Sequence, residues 1–181
     1  MQTQFISQDG LTLMPIQSDH IELIRQWRNA QIDVLRQSEP ITEKQQVEYF
    51  NNHIWPDMKE KYPKNILLSI LEDNILIGYG GLVHIAWEHK RAEVSFLLRP
   101  DYTVNTNIYS KYFTIFLQLI KKLAFLELGF QRIYTETYES RLITISILEN
   151  AGFVREGILR KHVIKNGKIQ DSLIHGCLSS D

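Results

Sequence analysis

The sequence predicts one α/β domain, spanning residues 1–181, built on a mixed and mostly antiparallel sheet of about seven strands with helices on both faces. Its length suits a single hydrophobic core. Segments with strand alternation and segments with helical spacing follow in the order β-α-α-β-β-β-α-β-α-β-β. Several strands follow one another without a helix between them, which argues against a doubly wound parallel sheet.

The first third of the chain contains one strand and two helices. Leu11–Ile16 alternates as a strand does. Apolar residues at helical spacing predict a helix that ends at Asn29 and begins at Asp19, which we expect to cap it. Thr42–Gln45 has the spacing of a capping box, so a second helix is expected to run through about Ile54.

The middle of the chain predicts three strands. Asn65–Leu71 and Ile75–Ile85 are apolar and separated by a polar turn, which indicates an antiparallel hairpin, and Arg91–Leu98 is a further strand. The second of these strands contains three glycines, namely Gly78, Gly80 and Gly81. They predict a bulge or a close approach of two backbones, or they mark a strongly twisted strand.

The last part of the chain begins with a long amphipathic helix at Thr106–Leu128. A strand, a helix and two strands follow it, at Arg132–Tyr138, about Ser140–Asn150, Phe153–Lys165 and Lys168–Leu178. Asn166-Gly167 joins the final two strands and is a strong signal for a two-residue hairpin turn.

The composition limits the kinds of partner. The chain has 20 basic and 21 acidic residues and a net charge of -1, so we expect neither a nucleic-acid partner nor a membrane partner. Cys177 is the single cysteine, which excludes an internal disulfide and a thiolate zinc site. The first residues show no secretory signal and no segment is apolar enough to span a bilayer, so we expect a cytoplasmic protein.

Several segments of the chain resemble motifs of a known enzyme family. Ala92–Tyr102 resembles the fourth strand and following turn of the GNAT superfamily of acetyl-CoA-dependent N-acetyltransferases. Glu149–Phe153, Glu156–Arg160, Gly167 and Asp171 resemble the C-terminal signature of the branch that acetylates the N-termini of ribosomal proteins. The resemblance covers nearly the whole chain, and it implies transfer of an acetyl group from acetyl-CoA to a primary amine.

The resemblance also implies where acetyl-CoA binds. Family members hold its pyrophosphate on a glycine-rich loop that opens a helix. The corresponding positions here are Thr103, Val104, Asn105, Thr106, Asn107 and Ile108. Thr106 and Ile108 replace the glycines, so this is either a variant loop that binds CoA through polar side chains or a degenerate site. Arg141 either reaches a CoA phosphate or is a solvated surface arginine.

Family members open the sheet between their fourth and fifth strands and bind the pantetheine of CoA in the gap. These strands correspond to Arg91–Leu98 and Arg132–Tyr138. The resemblance therefore implies contacts from the backbone of three residues, Phe96, Leu97 and Leu98. Leu148 occupies the position at which many relatives carry the tyrosine that protonates the leaving thiolate, so that acid is missing here.

Acetyl transfer requires a base that takes a proton from the attacking amine. Glu93 is the first candidate, although an ion pair with Lys90 or Arg91 explains it equally well. Glu136 is the second candidate and has the same alternative interpretation. Tyr138 is a candidate acid, although tyrosines on strands more often serve in packing.

The acceptor is expected near the end of the first helix, which lines the acceptor pocket in this family. Trp27, Arg28 and Asn29 end that helix, and His84 and Trp87 lie at the end of the third strand. Trp27 is alternatively a core residue and Arg28 a solvated one. The Trp-Arg-Asn cluster also resembles acetyltransferases that modify a nucleotide-linked amino sugar. No metal is expected, because the histidines have no closed ligand spacing.

Three functions stay open at the level of sequence. The first is an N-acetyltransferase in which a primary amine, on a protein N-terminus or an amino sugar, attacks acetyl-CoA directly within a ternary complex. The second is a catalytically degenerate module that binds ligands on the same fold, and the third is a transferase of a longer acyl group. The acceptor is a small-molecule or peptide amine, and a free edge on the last strand allows a homodimer.

Overall fold

The computed structural model describes residues 5–181, in which eight strands form one sheet. The strands are β1 Ile6–Gln8, β2 Leu11–Pro15, β3 Ile66–Glu72, β4 Ile75–Ala86, β5 Arg91–Leu98, β6 Arg132–Tyr138, β7 Val154–Lys165 and β8 Lys168–Leu178. Their order in the sheet is β1-β2-β3-β4-β5-β6-β8-β7. The mixed sheet is confirmed, with one strand more than expected.

The expectation of no secretory signal rests partly on residues 1–4, which lie outside the described residues.

The helices agree with the predicted pattern. They are α1 Ile21–Ala30, α2 Glu43–Tyr49, α3 Trp55–Asp57, α4 Pro100–Thr103, α5 Thr106–Lys121 and α6 Leu142–Asn150. Wider π-helical turns at Phe50–Ile54 and Lys122–Glu127 continue α2 and α5. Among the described helices, none is both long and apolar enough to cross a membrane.

The starts of the first two helices differ in how they are capped. The capping box is confirmed, because the Thr42 side chain accepts from the backbone of Gln45 while the Gln45 side chain accepts from the backbone of Thr42. The expected cap at Asp19 is wrong. A 3-10 turn at Ser18–His20 precedes α1, and its backbone bond from His20 to Gln17 replaces a side-chain cap.

The additional strand is β1, which pairs with β2 through a tight turn at Asp9-Gly10. Both turn residues have positive φ, 50° and 80°, as a two-residue hairpin of type I′ requires. Three residues are too few to show alternation, so the dipeptide Asp-Gly was the available signal.

The free edge expected on the last strand, β8, is wrong. β8 lies between β6 and β7, and β7 forms the edge of the sheet.

The sheet contains one parallel pair, β5 with β6. Its register runs from Arg91 opposite Arg132 to Glu93 opposite Tyr134, and no pairing between these strands continues beyond Glu93. In contrast, β6 stays paired with β8 as far as Tyr138. The C-terminal halves of β5 and β6 therefore separate, and the sheet opens at this point.

The two faces of the sheet have separate cores, which confirms helices on both faces. On one face, α5 and α6 contribute the fully buried Phe116 and Leu148, which pack with Ile133 of β6. On the other face, Ile24 and Trp27 of α1 belong to a second cluster with Phe50, Tyr79 and Leu97. Residues that alternate along β5 and β6 therefore point to different helix layers.

The glycines of β4 allow the neighbouring backbones to come close. A Cβ on Gly81 would overlap the carbonyl oxygen of Ile66, and one on Gly78 would lie 2.6 Å from the carbonyl oxygen of Leu97. Gly81 also has a φ of 134°, which L side chains rarely adopt. A register shift lies further along β4, between Val83 and Ala86, and it turns His84 out of the strand at a φ of 49°.

Candidate active site

A cleft of about 330 Å³ opens where β5 and β6 separate. Its walls include Glu93, Val94, Ser95 and Phe96 of β5, Thr135, Glu136, Thr137 and Tyr138 of β6, Tyr109 and Phe113 of α5, and Arg141, Thr144 and Leu148. The cleft thus brings together all three candidate catalytic residues and two of the residues expected to contact acetyl-CoA.

Strand alternation divides this cleft into two walls. Phe96 packs with the core under α5 and α6, and Thr135 shares the face of its neighbour Ile133 in the same core. Glu93 lies on the other face with Leu97, which belongs to the core under α1 and α2. One wall therefore faces α5 and α6, and the other faces α1 and α2.

Arg36 connects the two candidate carboxylates on the α1–α2 wall. Its Nη2 atom lies 2.6 Å from Oε1 of Glu93 and 2.8 Å from Oε2 of Glu136. The Glu93 and Glu136 side chains are only 11% and 13% exposed. The ion pair that the sequence left open for Glu93 does form, but with Arg36 in place of Lys90 or Arg91. No local signal in the sequence identified Arg36, because the contact depends on a loop that returns to the sheet.

Two histidines lie at the outer side of these carboxylates. Nε2 of His84 is 3.9 Å from Oε2 of Glu93, and Nε2 of His162 is 3.6 Å from Oε1 of Glu136. Both imidazoles are about half exposed or more. These separations exceed hydrogen-bond length, so a proton passes from a buried carboxylate to an imidazole only through an intervening water molecule.

Burial and charge act on the other ionisable groups of the cleft. Burial lowers the pKa of Arg36, but its hydrogen bond to Glu93 and the charges of Glu93 and Glu136 raise it more, so Arg36 stays protonated. Burial, followed by the charge of Glu136, raises the pKa of the Tyr138 phenol above its usual value, while Arg36 and Arg141 partly oppose this. Tyr138 therefore keeps its proton at neutral pH and is a hydrogen-bond donor.

The Trp27-Arg28-Asn29 cluster divides into three roles. Trp27 is a core residue, as its alternative interpretation held. Arg28 lines the cleft, and its guanidinium donates to the Tyr79 hydroxyl at 2.6 Å. Asn29 fastens the following loop, because its side chain donates to the carbonyl of Ile41 and accepts from the Ile41 backbone, each at 2.8 Å.

Trp87 was expected in the acceptor site, but in the structure it does not line the cleft. Its indole nitrogen donates to the carbonyl of Pro63 at 2.7 Å, and its ring packs against Phe130. The 3-10 turn at Trp87–His89 directs the ring toward the core under α5 and away from the cleft. His84, in contrast, lines the cleft beside Glu93.

A pocket of about 680 Å³ adjoins the cleft on the α1–α2 side. Arg28, Arg36 and Ser95 line both the pocket and the cleft, so the two spaces are continuous. The remaining polar lining includes Glu39 and Tyr49. This volume suits a small molecule, since ligand pockets usually measure roughly 300–1,000 Å³.

A cavity of about 660 Å³ adjoins the cleft between the starts of α5 and α6 and the end of α1, where Ala30 and Gln31 line it. Of the residues expected to hold CoA, Thr103, Val104, Thr106 and Arg141 line it. Tyr109, which the sequence analysis missed, connects the cavity and the cleft. Its hydroxyl lies 3.0 Å from Nη2 of Arg141 and 3.1 Å from the hydroxyl of Thr144, joining α5 to α6.

The loop before α5 offers fewer free donors than a glycine-rich loop. The side-chain oxygen of Asn105 caps α5 by accepting from the backbone of Asn107 at 3.0 Å and of Ile108 at 3.2 Å. These are the N–H groups that a pyrophosphate would need. The loop, the helix N-terminus and Arg141 fit a pyrophosphate once the Asn105 side chain turns away.

The backbone of β5 faces the opening in alternation. The backbone N–H of Arg99 donates to the carbonyl of Ile77 on β4. Because backbone groups alternate in direction along a strand, the N–H and C=O of Leu97 also point to β4. Those of Phe96 and Leu98 point to the opening. Gln31 already donates to the carbonyl of Leu98 at 2.8 Å. Phe96 is thus the residue best placed to pair with an extended pantetheine.

Within residues 5–181, no group of three or more histidine, cysteine, aspartate or glutamate side chains is arranged to hold a metal ion. Arg36 occupies the space between Glu93 and Glu136. The two carboxylates are therefore bridged by the guanidinium of Arg36.

Solved structures of spermidine N-acetyltransferase from Vibrio cholerae are similar to this chain in fold. The structure in complex with CoA and spermine has a TM-score of 0.81 at 20% identity, covering 96% of this chain and 98% of that one. The dodecameric structure in an intermediate state has a TM-score of 0.78 at 22% identity, covering 96% of each chain. Among curated protein sequences, none matches this chain significantly.

A family model described as the acetyltransferase (GNAT) domain matches residues 14–174, nearly the whole chain. The match agrees with the opened sheet, the helix that begins beside the opening and the eight-stranded order. It assigns the chain to the family without selecting the ribosomal-protein or the amino-sugar branch. The chain belongs to the GNAT acetyltransferase family, and it is an acyl-CoA-dependent acetyltransferase that uses acetyl-CoA.

Proposed function

We propose that this protein transfers the acetyl group of acetyl-CoA directly to the primary amine of a small acceptor, with both substrates bound together. The observation that supports this most is the opening between β5 and β6, which connects a cavity at the starts of α5 and α6 with a separate pocket beside α1 and α2. Acetyl-CoA enters from the α5–α6 side and the acceptor from the α1–α2 side. The thioester and the amine then meet in the cleft, which reduces the entropy cost of bringing them together.

Acetyl-CoA is held by groups along the α5–α6 wall. Thr103, Thr106 and Arg141 line the space for its phosphates, and Arg141 supplies the positive charge. The backbone of Phe96 pairs with the pantetheine as a neighbouring strand would. The same backbone directs an N–H group toward the thioester carbonyl, which stabilises the oxyanion that forms on attack.

Glu93 is the proposed base. It lies at the last paired position of β5, where the cleft begins, and it belongs to the acceptor-side wall. The Arg36 guanidinium is paired with this carboxylate, and His84, 3.9 Å away, leads the proton toward solvent through an intervening water molecule. Glu136 also contacts Arg36 and so positions its guanidinium, while the Tyr138 hydroxyl on the same wall is available as a donor to the acceptor.

The acceptor that fits this pocket best is an amine that also has hydroxyl or anionic groups, such as an amino sugar with a phosphate. Two arginines, Arg28 and Arg36, line the pocket with one carboxylate, Glu39. Tyr79 and Gln37 bond Arg28 and hold its guanidinium at the pocket wall. The volume of this pocket is that of a small-molecule site, which favours a small acceptor over a protein N-terminus.

A polyamine is the second candidate acceptor. The structural neighbours are named for spermidine, and one of them is bound to spermine. Glu93 and Glu136 together outweigh the single charge of Arg36, so the cleft attracts a cationic amine. The arginines of the adjoining pocket would repel the remaining amines of a long polyamine.

Release of the free CoA thiol, measured against a panel of amines, tests this proposal. We expect turnover with acetyl-CoA and an amino sugar phosphate, weaker turnover with spermidine, and none with an N-terminal peptide. Thermal stabilisation by acetyl-CoA should accompany it. Stabilisation without turnover of any amine would indicate the degenerate binding module. Faster release from a longer acyl-CoA would indicate the alternative acyl donor.

We propose that the protein is located in the cytoplasm, where acetyl-CoA is formed.

We propose that the protein forms a homodimer through β7. β7 is an edge strand, and Val154, Ile158 and Ile164 are apolar and exposed along it. Light scattering coupled to size exclusion should report about twice the chain mass. A monomer at micromolar concentration would contradict the dimer.

A further inference from the structure

Three buried side chains of the described residues have polar atoms with no hydrogen-bond partner: Thr135 through its hydroxyl, Ser172 through its hydroxyl, and His175 through both ring nitrogens. Buried polar groups are nearly always satisfied, so each exception needs an explanation. Thr135 is the member of this set that lines the cleft. A ligand in the cleft can therefore supply the missing partner.

Thr135 lies where the reaction must occur. It is the first residue of β6 after Tyr134, the last residue that pairs with β5. The residue is 6% exposed, and its side chain belongs to the wall that faces α5 and α6. Glu93 pairs with Tyr134, so it lies one position away from Thr135 along the opening and on the opposite wall. An acetyl thioester between them has its acceptor on the Glu93 side and its CoA on the Thr135 side.

We propose that the Thr135 hydroxyl donates a hydrogen bond to the sulfur of CoA as the thioester breaks. This rests on the proposed acetyl transfer. The amine nitrogen forms a bond to the carbonyl carbon and gives its proton to Glu93. The C–S bond then breaks, and its electron pair leaves on sulfur. The hydroxyl of Thr135 stabilises the resulting thiolate, which takes its proton from water.

The other candidate donors of the cleft are less well placed. Leu148, on the same wall, has no donor group. The hydroxyl of Tyr109 already contacts Arg141 and Thr144. Tyr138 shares the wall of Glu136 and so faces the acceptor. Of these four side chains, Thr135 combines an unpartnered hydroxyl with the cofactor wall. Thr137 lies two positions further along β6 on the same wall, so Thr137→Val is the matched comparison for Thr135→Val.

Three variants test the role of Thr135. Thr135→Val keeps the shape and removes the hydroxyl, Thr135→Ser keeps the hydroxyl, and Ser172→Ala removes an equally unsatisfied hydroxyl outside the cleft. We expect Thr135→Val to lower kcat roughly 10- to 100-fold, with KM for acetyl-CoA within about twofold. This is less than the roughly 10²–10³-fold loss typical of an oxyanion donor, because a thiolate needs less stabilisation than an alkoxide-like oxyanion. Thr135→Ser should recover most of kcat.

The stability of the same variants separates a catalytic role from a structural one. Replacing an unsatisfied buried hydroxyl by a methyl group does not destabilise the fold, so the melting temperatures of Thr135→Val and Ser172→Ala should equal or exceed that of the wild type. Only Thr135→Val should lose activity. An active wild type together with an equally active Thr135→Val, or a failed rescue by serine, would overturn the proposal. An inactive wild type would instead refute the acetyl transfer on which it rests.

Discussion

Arg36 and Glu93 are 57 positions apart in the chain, and their side chains meet at 2.6 Å in the opening of the sheet. Because Arg36 also contacts Glu136 at 2.8 Å, one positive charge serves two carboxylates. Two carboxylates thus share a single guanidinium, and this excess of acidic over basic groups attracts a cationic amine to the cleft.

Glu93→Gln should lower kcat by about 10²–10⁴-fold, the usual loss when a general base is removed. The amide keeps the shape of the side chain but cannot accept the proton. The residual activity should rise with pH, because a larger fraction of the amine is then neutral before it attacks. Steady-state release of the CoA thiol between pH 6 and pH 10 measures both effects.

Glu136→Gln is the matched comparison, since it removes the other carboxylate of the same arginine. We expect kcat to fall by about tenfold or less, with the same dependence of the rate on pH as in the wild type. If kcat fell equally in the two variants, Glu93 would not be the only base. A Glu93→Gln enzyme as fast as the wild type at every pH would exclude that role.

Asn105→Gly should tighten the binding of CoA while slightly lowering stability. The Asn105 side chain bonds the backbone N–H groups of Asn107 and Ile108, so it competes with a phosphate for the start of α5. Removing that cap for glycine costs only a few tenths of a kcal/mol. Calorimetric titration with CoA and thermal melting measure the two quantities on one sample.

Asn105→Asp keeps the helix cap of α5 and adds a negative charge, so it distinguishes the effect of the cap from the effect of charge on CoA binding. Aspartate caps a helix about as well as asparagine, so the melting temperature should change little. Its negative charge lies where the pyrophosphate must bind, and the affinity for CoA should fall. If both variants bind CoA as the wild type does, the phosphates do not contact this loop.

The fold was predictable because its signals are local. Alternation located β2, and apolar runs separated by a polar turn located β3 and β4. The capping box at Thr42 and the Asn166-Gly167 turn gave correct boundaries. The missing β1 was too short to alternate. Glu93 and Glu136 were found as carboxylates on two strands that the family resemblance places side by side. Arg36, Tyr109 and Thr135 were missed, since their importance depends on contacts between distant segments.

Gly81→Ala should destabilise the protein by at least about 3 kcal/mol, because the new Cβ would overlap the carbonyl oxygen of Ile66 at a positive φ. In a chain of this size that corresponds to a fall in melting temperature of roughly 6–12 °C. Gly157→Ala is the control: nothing lies within 4 Å of its added Cβ, and its melting temperature should stay near that of the wild type.

Lys165 holds the loop that carries Arg36. Its ammonium donates to the carbonyl oxygens of Ile32 at 3.1 Å and of Gln37 at 2.9 Å, one before and one after Arg36. Lys165 lies at the end of β7, so the long β7–β8 hairpin fixes the segment between α1 and α2. Movement of this loop would withdraw Arg36 from both carboxylates and open the acceptor pocket.

Lys165→Met should therefore raise KM for the amine acceptor and lower kcat, each by roughly threefold to tenfold, with KM for acetyl-CoA unchanged. Methionine keeps most of the aliphatic chain, and loss of contacts at a half-buried surface position changes stability by no more than about 1 kcal/mol. Lys168→Met removes an exposed lysine across the same hairpin turn and should leave all these constants unchanged. If Lys165→Met left acceptor KM unchanged, the loop would hold Arg36 without help from the hairpin, and the acceptor pocket would be shaped by α1 and α2 alone.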